Sequence, residues 1–193
     1  MQKPMPGQAS RTTDEPDIRP LMASFPSGVS IITALDAEGN PQGMTCSSLA
    51  SVALSPPTIV ACLRTDSRTH RAVRETGRFA INLLHERGRA TSDLFGSGAP
   101  DRFARAEWRL PLGAGGPHLI DAAHAIADCA VTGTLEVGDH TAVLGEVLDV
   151  TFLDLSPEPL LYGLRRYATW SAVTAVPETV GATAQPEADH GCR

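Results

Sequence analysis

Two long strand-like runs that follow each other almost without a break constrain the fold more than any other feature of the sequence. The runs cover His124–Val137 and Thr141–Phe152, and only Gly138-Asp139-His140 separates them. A parallel pair of strands needs a crossover of a dozen or more residues, whereas Gly and Asp are typical of a tight turn. The segment therefore predicts a long antiparallel β-hairpin.

The rest of the chain is also dominated by short strand-like runs with brief connections. These connections leave little room for crossover helices, and no Gly-x-Gly-x-x-Gly motif or phosphate-binding Walker loop follows a strand. The pattern favours a mainly β, antiparallel barrel with a few short peripheral helices over a doubly wound sheet. Further strands are predicted at Gly28–Leu35, Ser48–Leu54, Thr58–Leu63, Arg78–Leu84 and Pro159–Trp170, helices at Pro16–Ser24, Ser67–Thr76 and Arg87–Phe95, and an irregular segment at Arg102–Pro117.

The length of 193 residues suits one compact domain. Residues 1–15 are polar and proline-containing and are predicted to form a mobile N-terminal lead. Residues 16–171 are predicted to form the folded domain. Residues 172–193, which again contain Pro and Gly, are predicted to form a flexible tail.

Charge and hydropathy exclude several classes of function. The formal net charge is −6 and the basic residues form no dense run, so nucleic acid is not an expected partner. No apolar stretch approaches the roughly 20 residues that cross a bilayer, and the polar N-terminus is unlike a secretory signal. We expect a cytoplasmic protein without membrane association.

The four cysteines, Cys46, Cys62, Cys129 and Cys192, form no Cys-x-x-Cys pair. A structural zinc site needs clustered thiolate and imidazole ligands, and this spacing does not supply them. We therefore predict free thiols and no metal site.

The densest group of hydroxyl side chains in strand-like sequence lies in Gly43–Ser48. Alternation along a strand places Thr45 and Ser47 on one side and Cys46 and Ser48 on the other. Short hydroxyl donors at a strand end suit a phosphate or the polar edge of a flavin ring. The alternative is a β-bulge whose hydroxyls bond to the backbone.

A second candidate is Ser67-Arg68-Thr69, which begins a predicted helix. The first turn of a helix leaves N–H groups unpaired, and its dipole favours an anion. A phosphate between this turn and Thr45–Ser48 would meet hydroxyls, amides and the charge of Arg68. The alternative is an ordinary helix cap.

The sequence is compatible with two roles for each of two isolated polar residues. Asn82 interrupts the apolar strand Phe79–Leu84, where its amide could bond a flavin edge or hold a neighbouring loop. His140 could face a cofactor cleft, although its place beside Gly138 and Asp139 favours a plain turn.

Taken in order, these motifs resemble the flavin reductase-like family, which has the FMN-binding split-barrel fold. The resemblance extends roughly from Ile18 to Trp170 and depends on the ordered series rather than on any one motif. The series consists of Phe25-Pro26-Ser27-Gly28-Val29, Gly43–Ser48 with Ser51-Val52, Ser55-Pro56-Pro57, Ser67-Arg68-Thr69, Gly77–Leu84, Gly138-Asp139-His140, Gly145-Glu146-Val147, and Pro159–Tyr162 with Arg166-Tyr167.

The resemblance implies an antiparallel Greek-key split β-barrel that forms a homodimer and binds FMN or FAD without a covalent bond. NADH or NADPH would donate a hydride to the flavin, and the reduced flavin would serve a separate flavin-dependent oxygenase, as in two-component monooxygenases. His140 would be the catalytic residue, near the nicotinamide. The implied cofactor-binding residues are Thr45, Cys46, Ser47, Ser48, Ser51, Cys62, Ser67, Arg68, Thr69 and Asn82.

Two other functions remain compatible with the motifs. One is a flavoprotein that retains FMN and acts directly on an organic substrate. The other is a non-catalytic flavin-binding redox sensor. The sequence does not distinguish FMN from FAD, or NADH from NADPH.

Overall fold

The computed structural model describes residues 16–154 and 156–171. The predicted lead and tail, 1–15 and 172–193, lie outside the described residues. In chain order the elements are α1 (Arg19–Ala23), β1 (Ser27–Gly28), β2 (Ser30–Leu35), β3 (Pro41–Cys46), β4 (Leu49–Leu54), β5 (Pro57–Arg64), α2 (Arg68–Thr76), β6 (Arg78–Leu84), a 3₁₀ turn (Glu86–Gly88), α3 (Arg89–Gly96), α4 (Arg102–Arg105), β7 (Ala123–Val137), β8 (His140–Phe152), β9 (Leu160–Gly163) and β10 (Arg166–Thr169).

The main sheet has seven strands in the order β3-β2-β6-β7-β8-β5-β4, and every neighbouring pair is antiparallel. Its two edge strands follow each other in the chain, so the sheet curls until its edges meet. The Cys62 N–H donates to the Ser48 carbonyl oxygen at 3.1 Å, which extends the pairing of β4 with β5 back into the Ser47-Ser48 link between the two edge strands. The predicted mainly β antiparallel barrel is confirmed.

The long hairpin predicted from the sequence is β7–β8, and it supplies the two longest strands. Gly138 adopts φ +59° in its turn, a conformation that favours glycine. His140 is already part of β8 and pairs with Val137. The turn is thus shorter than the sequence suggested, and His140 belongs to the sheet.

The barrel interior is filled by apolar side chains of the central strands, among them Ile32, Phe79 and Ile81, each at most 1% exposed. Helix α2 packs against this core through Ala72 and Val73. Both ends of α2 lie where the sequence predicts them. Ser67 Oγ accepts a hydrogen bond from the His70 N–H at 3.1 Å, and Gly77 closes the helix at φ +67°.

A second apolar layer covers the outside of β2 and β6 and is built around Ile31, Leu84, Phe95 and Leu119. Strand β2 is therefore buried on both faces. A short three-stranded sheet, β1-β9-β10, closes this side.

Three elements differ from the sequence-based expectations. The predicted single strand Pro159–Trp170 is the hairpin β9–β10, which turns at Leu164 and Arg165, both with positive φ. Neither residue type signals such a turn, so it was missed. The predicted helix Arg87–Phe95 is a 3₁₀ turn followed by α3, and the irregular segment Arg102–Pro117 begins with α4. Among the described residues, no helix combines the length and apolar character needed to cross a bilayer.

Candidate functional site

The candidate site lies on the outer face of β5. Ala61 and Leu63 are buried in the barrel core, so the alternating residues Val60, Cys62 and Arg64 point to the other side of the sheet. This side is called the outer face below. Two clefts open along it.

The first, here called the serine cleft, has a volume of about 790 Å³ and lies where β3 passes into β4. Ser47 and Ser48 are both exposed there. Ser48 Oγ donates to the Cys62 carbonyl oxygen at 3.1 Å. The opposite wall is largely apolar and includes the rings of Phe25 and Tyr162. The cleft thus combines short hydroxyl groups with a flat apolar surface.

The second, here called the arginine cleft, has a volume of about 540 Å³ and lies at the N-terminus of α2. Arg64, Ser67, Arg68 and Thr69 line it. Because α2 begins at Arg68, the N–H groups of Arg68 and Thr69 have no acceptor one turn earlier in the helix, and both are available to a ligand. The unpaired N–H groups, the helix dipole and the guanidinium groups all favour an anion.

His140 lies beside the arginine cleft. It pairs directly with Arg64 across β5 and β8, so both side chains extend from the outer face. His140 Nδ1 is 2.8 Å from Asp139 Oδ1, and since the ionised carboxylate only accepts, Nδ1 donates. In the neutral imidazole, Nε2 then carries a lone pair. This hydrogen bond is also the main cause that lowers the pKa of the exposed Asp139 carboxyl.

Thr45 and Cys46 hold the strand that carries the serines. Thr45 Oγ1 donates to the Ser92 carbonyl oxygen at 2.6 Å. The Cys46 thiol points into the barrel core, 3.5 Å from Ser48 Oγ, and burial raises its pKa. Both side chains therefore make their contacts inside the protein. This agrees with the alternative interpretation, in which the hydroxyl groups of the cluster bond to the backbone.

The family profile described as "Flavin reductase like domain" matches residues 22–171, most of the chain. The chain belongs to the flavin reductase-like family. The match includes the whole lining of the arginine cleft, all of the serine cleft except Arg19, all ten predicted cofactor-binding residues and His140.

Individual relatives agree with this assignment. A "Flavin reductase (NADPH)" of Lentzea aerocolonigenes is 49% identical over 80% of this chain and 89% of its own. The "Flavin-dependent monooxygenase, reductase subunit HsaB" of Mycobacterium tuberculosis (strain CDC 1551 / Oshkosh) is 34% identical over 79% of this chain and 81% of its own. Among solved structures, the Streptomyces globisporus C-1027 NADH:FAD oxidoreductase SgcE6, in complex with NAD and FAD fragments, is similar with a TM-score of 0.74 and 29% identity over 84% of this chain and 93% of its own.

The chemistry of the two clefts fits a flavin nucleotide. Cys62 lines the serine cleft and Arg64 the arginine cleft, and two residues along a strand span about 7 Å. The clefts are therefore adjacent on one face. One offers hydroxyl and apolar surface to a ring, and the other offers cations and free N–H groups to a phosphate.

Of the predicted site residues, the structure brings Ser47, Ser48 and Cys62 together at one cleft. It brings Ser67, Arg68 and Thr69 together at the other, with His140 alongside.

Ser51 and Asn82 do not join them. Ser51 pairs with Ile59, whose side chain packs against the barrel core, so Ser51 extends from the face opposite to Val60 and Cys62.

The side chain of Asn82 makes hydrogen bonds within the protein core and does not reach either cleft. It is fully buried, and its Nδ2 donates to the Ile31 carbonyl oxygen and to Thr33 Oγ1, both at 3.1 Å. Its Oδ1 accepts from the Leu119 N–H at 2.8 Å. The amide therefore holds the segment before β7 against the barrel, the second of the two roles considered for it.

Arg64 and Arg102 also line the arginine cleft, and neither is among the residues predicted from the sequence. Arg64 extends β5 one residue beyond the predicted strand. Arg102 lies in the segment predicted to be irregular, where no periodicity assigns a side chain to a face. Only the pairing of Arg64 with His140 and the position of α4 reveal them.

Proposed function

We propose that this protein is an NAD(P)H-dependent flavin reductase that transfers a hydride from NADH or NADPH to FMN or FAD. The reduced flavin then serves a partner flavin-dependent oxygenase in the cytoplasm, where both nicotinamide donors are held. The observation that carries the proposal is the continuous outer face of β5, which joins a hydroxyl-lined cleft to a cationic cleft that has His140 beside it.

In the proposed complex the flavin ring lies in the serine cleft, against Ser47, Ser48 and the backbone around Cys62. The phosphate lies in the arginine cleft, where the N–H groups of Arg68 and Thr69 and the Ser67 hydroxyl are its donors. This orientation follows from the donors. The arginine cleft combines cations with the unpaired N–H groups at the start of α2, whereas the serine cleft has Arg165 and Arg19, of which Arg19 is paired with Asp17 at 2.7 Å.

The flavin, when bound, accepts a hydride from the nicotinamide, and no protein nucleophile is needed. The task of the chain is to hold the two rings together in one orientation. His140 extends from the outer face next to the phosphate site, with Nε2 free to accept a hydrogen bond from the nicotinamide amide. Asp139 fixes the imidazole through Nδ1.

Two features support the transfer of reduced flavin to a partner. Both clefts are open to solvent on the outer face, which suits a flavin that enters and leaves as a substrate. The Mycobacterium tuberculosis relative carries the name of a monooxygenase reductase subunit, which is in keeping with this role.

The proposal includes a homodimer. Leu135, Val137 and Leu144 extend from the same outer face as His140 and are 65%, 63% and 36% exposed. An apolar patch of this kind beside a functional cleft is typical of a protein interface. A second copy of the chain on this patch would lie beside the clefts and cover part of the site.

A turnover experiment with flavin-free protein tests the function. A catalytic amount of protein is mixed in air with NADH or NADPH and an excess of FMN or FAD, and the loss of nicotinamide absorbance is followed. Many turnovers per protein are expected. Tight retention of one flavin without turnover of added flavin would contradict the proposal and favour a flavoprotein that acts on its own substrate.

A further inference from the structure

Arg102 has a hydrogen-bonding group that the described part of the chain leaves without a partner. It begins α4 at the rim of the arginine cleft, and its Nη1 donates to the Ala99 carbonyl oxygen at 3.1 Å. Its Nε is buried and has no acceptor among the described residues. A buried guanidinium N–H without an acceptor is costly, so the arrangement points to a ligand that supplies one.

Arg68 and Arg102 also lack a counter-ion. Both line the arginine cleft and a neighbouring cavity of about 250 Å³. Within the described residues no carboxylate oxygen lies within 4.0 Å of either guanidinium. The pKa of Arg102 is lowered mainly by burial and to a smaller extent by the positive charge of Arg68. Two like charges that share a cleft favour an anion between them.

Two carboxylates near this pair are engaged by other arginines, and three more, Asp36, Glu38 and Glu75, line a separate cavity on the other side of Arg68 without an ion pair to it. Asp66 lines the arginine cleft but pairs with Arg64 at 2.9 Å, and Asp101 pairs with Arg105 at 3.7 Å. Among the described residues that line the arginine cleft, Arg68 and Arg102 are therefore the cations without an ion pair, and both are available to an external anion.

We propose that Arg102, together with Arg68, binds a second phosphate group, beyond the one held at the N-terminus of α2. This inference depends on the proposed function, and it assigns the site's preference among nucleotides. FMN carries one phosphate and NADH carries no 2′-phosphate. The second phosphate comes either from the adenosine side of FAD or from the 2′-phosphate of NADPH. In both cases a phosphate oxygen accepts from Arg102 Nε, and the planar guanidinium suits this contact.

The test compares Arg102→Gln with Arg105→Gln in flavin-free protein. The control residue lies in the same helix, is exposed, and does not line the cleft. Binding of FMN and FAD is measured by fluorescence titration, and binding of NAD⁺ and NADP⁺ by calorimetry. Arg102→Lys, which keeps the charge but not the planar fork, is the third variant, and thermal unfolding verifies that each variant is folded.

Loss of a hydrogen bond to a charged group corresponds to about tenfold or more in affinity. Arg102→Gln is expected to weaken FAD by that factor with FMN unchanged, or NADP⁺ by that factor with NAD⁺ unchanged, and the ligand affected identifies the source of the phosphate. Arg102→Lys is expected to restore part of the loss, and Arg105→Gln to have no effect. Equal losses for both members of each pair, or no loss, would overturn the proposal. Flavin turnover by the unaltered protein is measured separately, so failure of the reductase function is distinguishable from failure of this site.

Discussion

The Thr45 hydroxyl donates a hydrogen bond of 2.6 Å to the carbonyl oxygen of Ser92. Ser92 is fully buried in α3, and its own hydroxyl lies 3.0 Å from the phenolic oxygen of Tyr167. Tyr167 donates its only O–H to Asp93 at 2.9 Å, so Ser92 is the donor to Tyr167. This chain of bonds joins β3, α3 and β10. These bonds hold the end of β3, which leads into the serines of the serine cleft, from the side opposite to the cleft.

Replacing Thr45 with Val keeps the shape of the side chain but removes the second donor to the Ser92 carbonyl oxygen, which as part of α3 also accepts from the helix backbone. We expect the free energy of unfolding to fall by about 1 kcal/mol, the usual net contribution of one hydrogen bond. We also expect weaker flavin binding, because the end of β3 is less fixed. Urea denaturation and flavin titration measure the two effects.

Thr58→Val is the matched control for this change. Thr58 also donates to a carbonyl oxygen, that of Pro56 at 3.0 Å, but at an exposed site where water can replace it. The control should change stability and flavin affinity little. Similar losses in both variants would show that the bond to Ser92 has no special role.

The hairpin and the capped helix could be predicted because their signals are local. Gly138 and Asp139 between apolar runs predict a turn, and Ser67 with Gly77 marks the two ends of α2. Closure of the barrel is different in kind. The pairings of β2 with β6 and of β5 with β8 join residues far apart in sequence, and no local pattern specifies such partners. The family resemblance predicted the barrel as a whole and not these pairs.

His140→Ala is expected to slow flavin reduction while the protein stays folded. The variant removes Nε2 from the outer face beside the arginine cleft, and loss of one positioning contact lowers kcat/KM for the nicotinamide by about tenfold. Flavin affinity should change little, because the phosphate donors belong to α2. Steady-state kinetics and flavin titration test both points.

Asp139→Asn provides the comparison for His140. The amide oxygen of Asn can still accept from Nδ1, so the imidazole keeps its orientation and a much smaller effect is expected. If His140→Ala reduced flavin at the unaltered rate, His140 would be a simple strand residue beside the turn.

Val137→Glu tests the proposed dimer. Val137 is 63% exposed, pairs with His140 and extends from the outer face, so a buried carboxylate there would oppose a second copy. Light scattering should change from dimer to monomer mass, and flavin turnover should fall because the site loses its cover.

Leu112→Glu makes the same chemical change at a fully exposed residue in the irregular segment before β7. It should leave mass and turnover unaltered. A monomeric unaltered protein, or an unchanged mass for Val137→Glu, would contradict the proposed interface.

The roles of single polar residues could not be predicted from the sequence. Asn82 interrupts a strand and His140 follows a turn, and in the sequence both are compatible with a cofactor contact. The difference is that β6 is covered on both faces, so Asn82 has no solvent-facing side, whereas β8 has an open outer face at His140. Which face of a strand is covered depends on layers contributed by distant segments.

Cys129 makes the free energy of unfolding depend on pH in the alkaline range. It is fully buried, and burial, with a smaller contribution from the charge of Asp128, raises the pKa of its thiol to about 12, from the ordinary value of 9.0. Between these values the unfolded chain loses the thiol proton and the native protein keeps it. Because the native state then binds more protons, the contribution of Cys129 to stability is complete below pH 9 and declines above it, by about 1.4 kcal/mol per pH unit.

Cys129→Ala removes this dependence. The variant should be less stable than the unaltered protein at pH 7, because it loses packing in the barrel core, and the difference should shrink by about 1.4 kcal/mol at pH 10. Val131→Ala, in the same strand and packed against the same core, carries no titratable group, so its cost should be the same at both pH values. Urea denaturation at pH 7 and pH 10 gives all four differences. A cost of Cys129→Ala that does not change with pH would mean that the thiol ionises as readily in the native protein as in the unfolded chain.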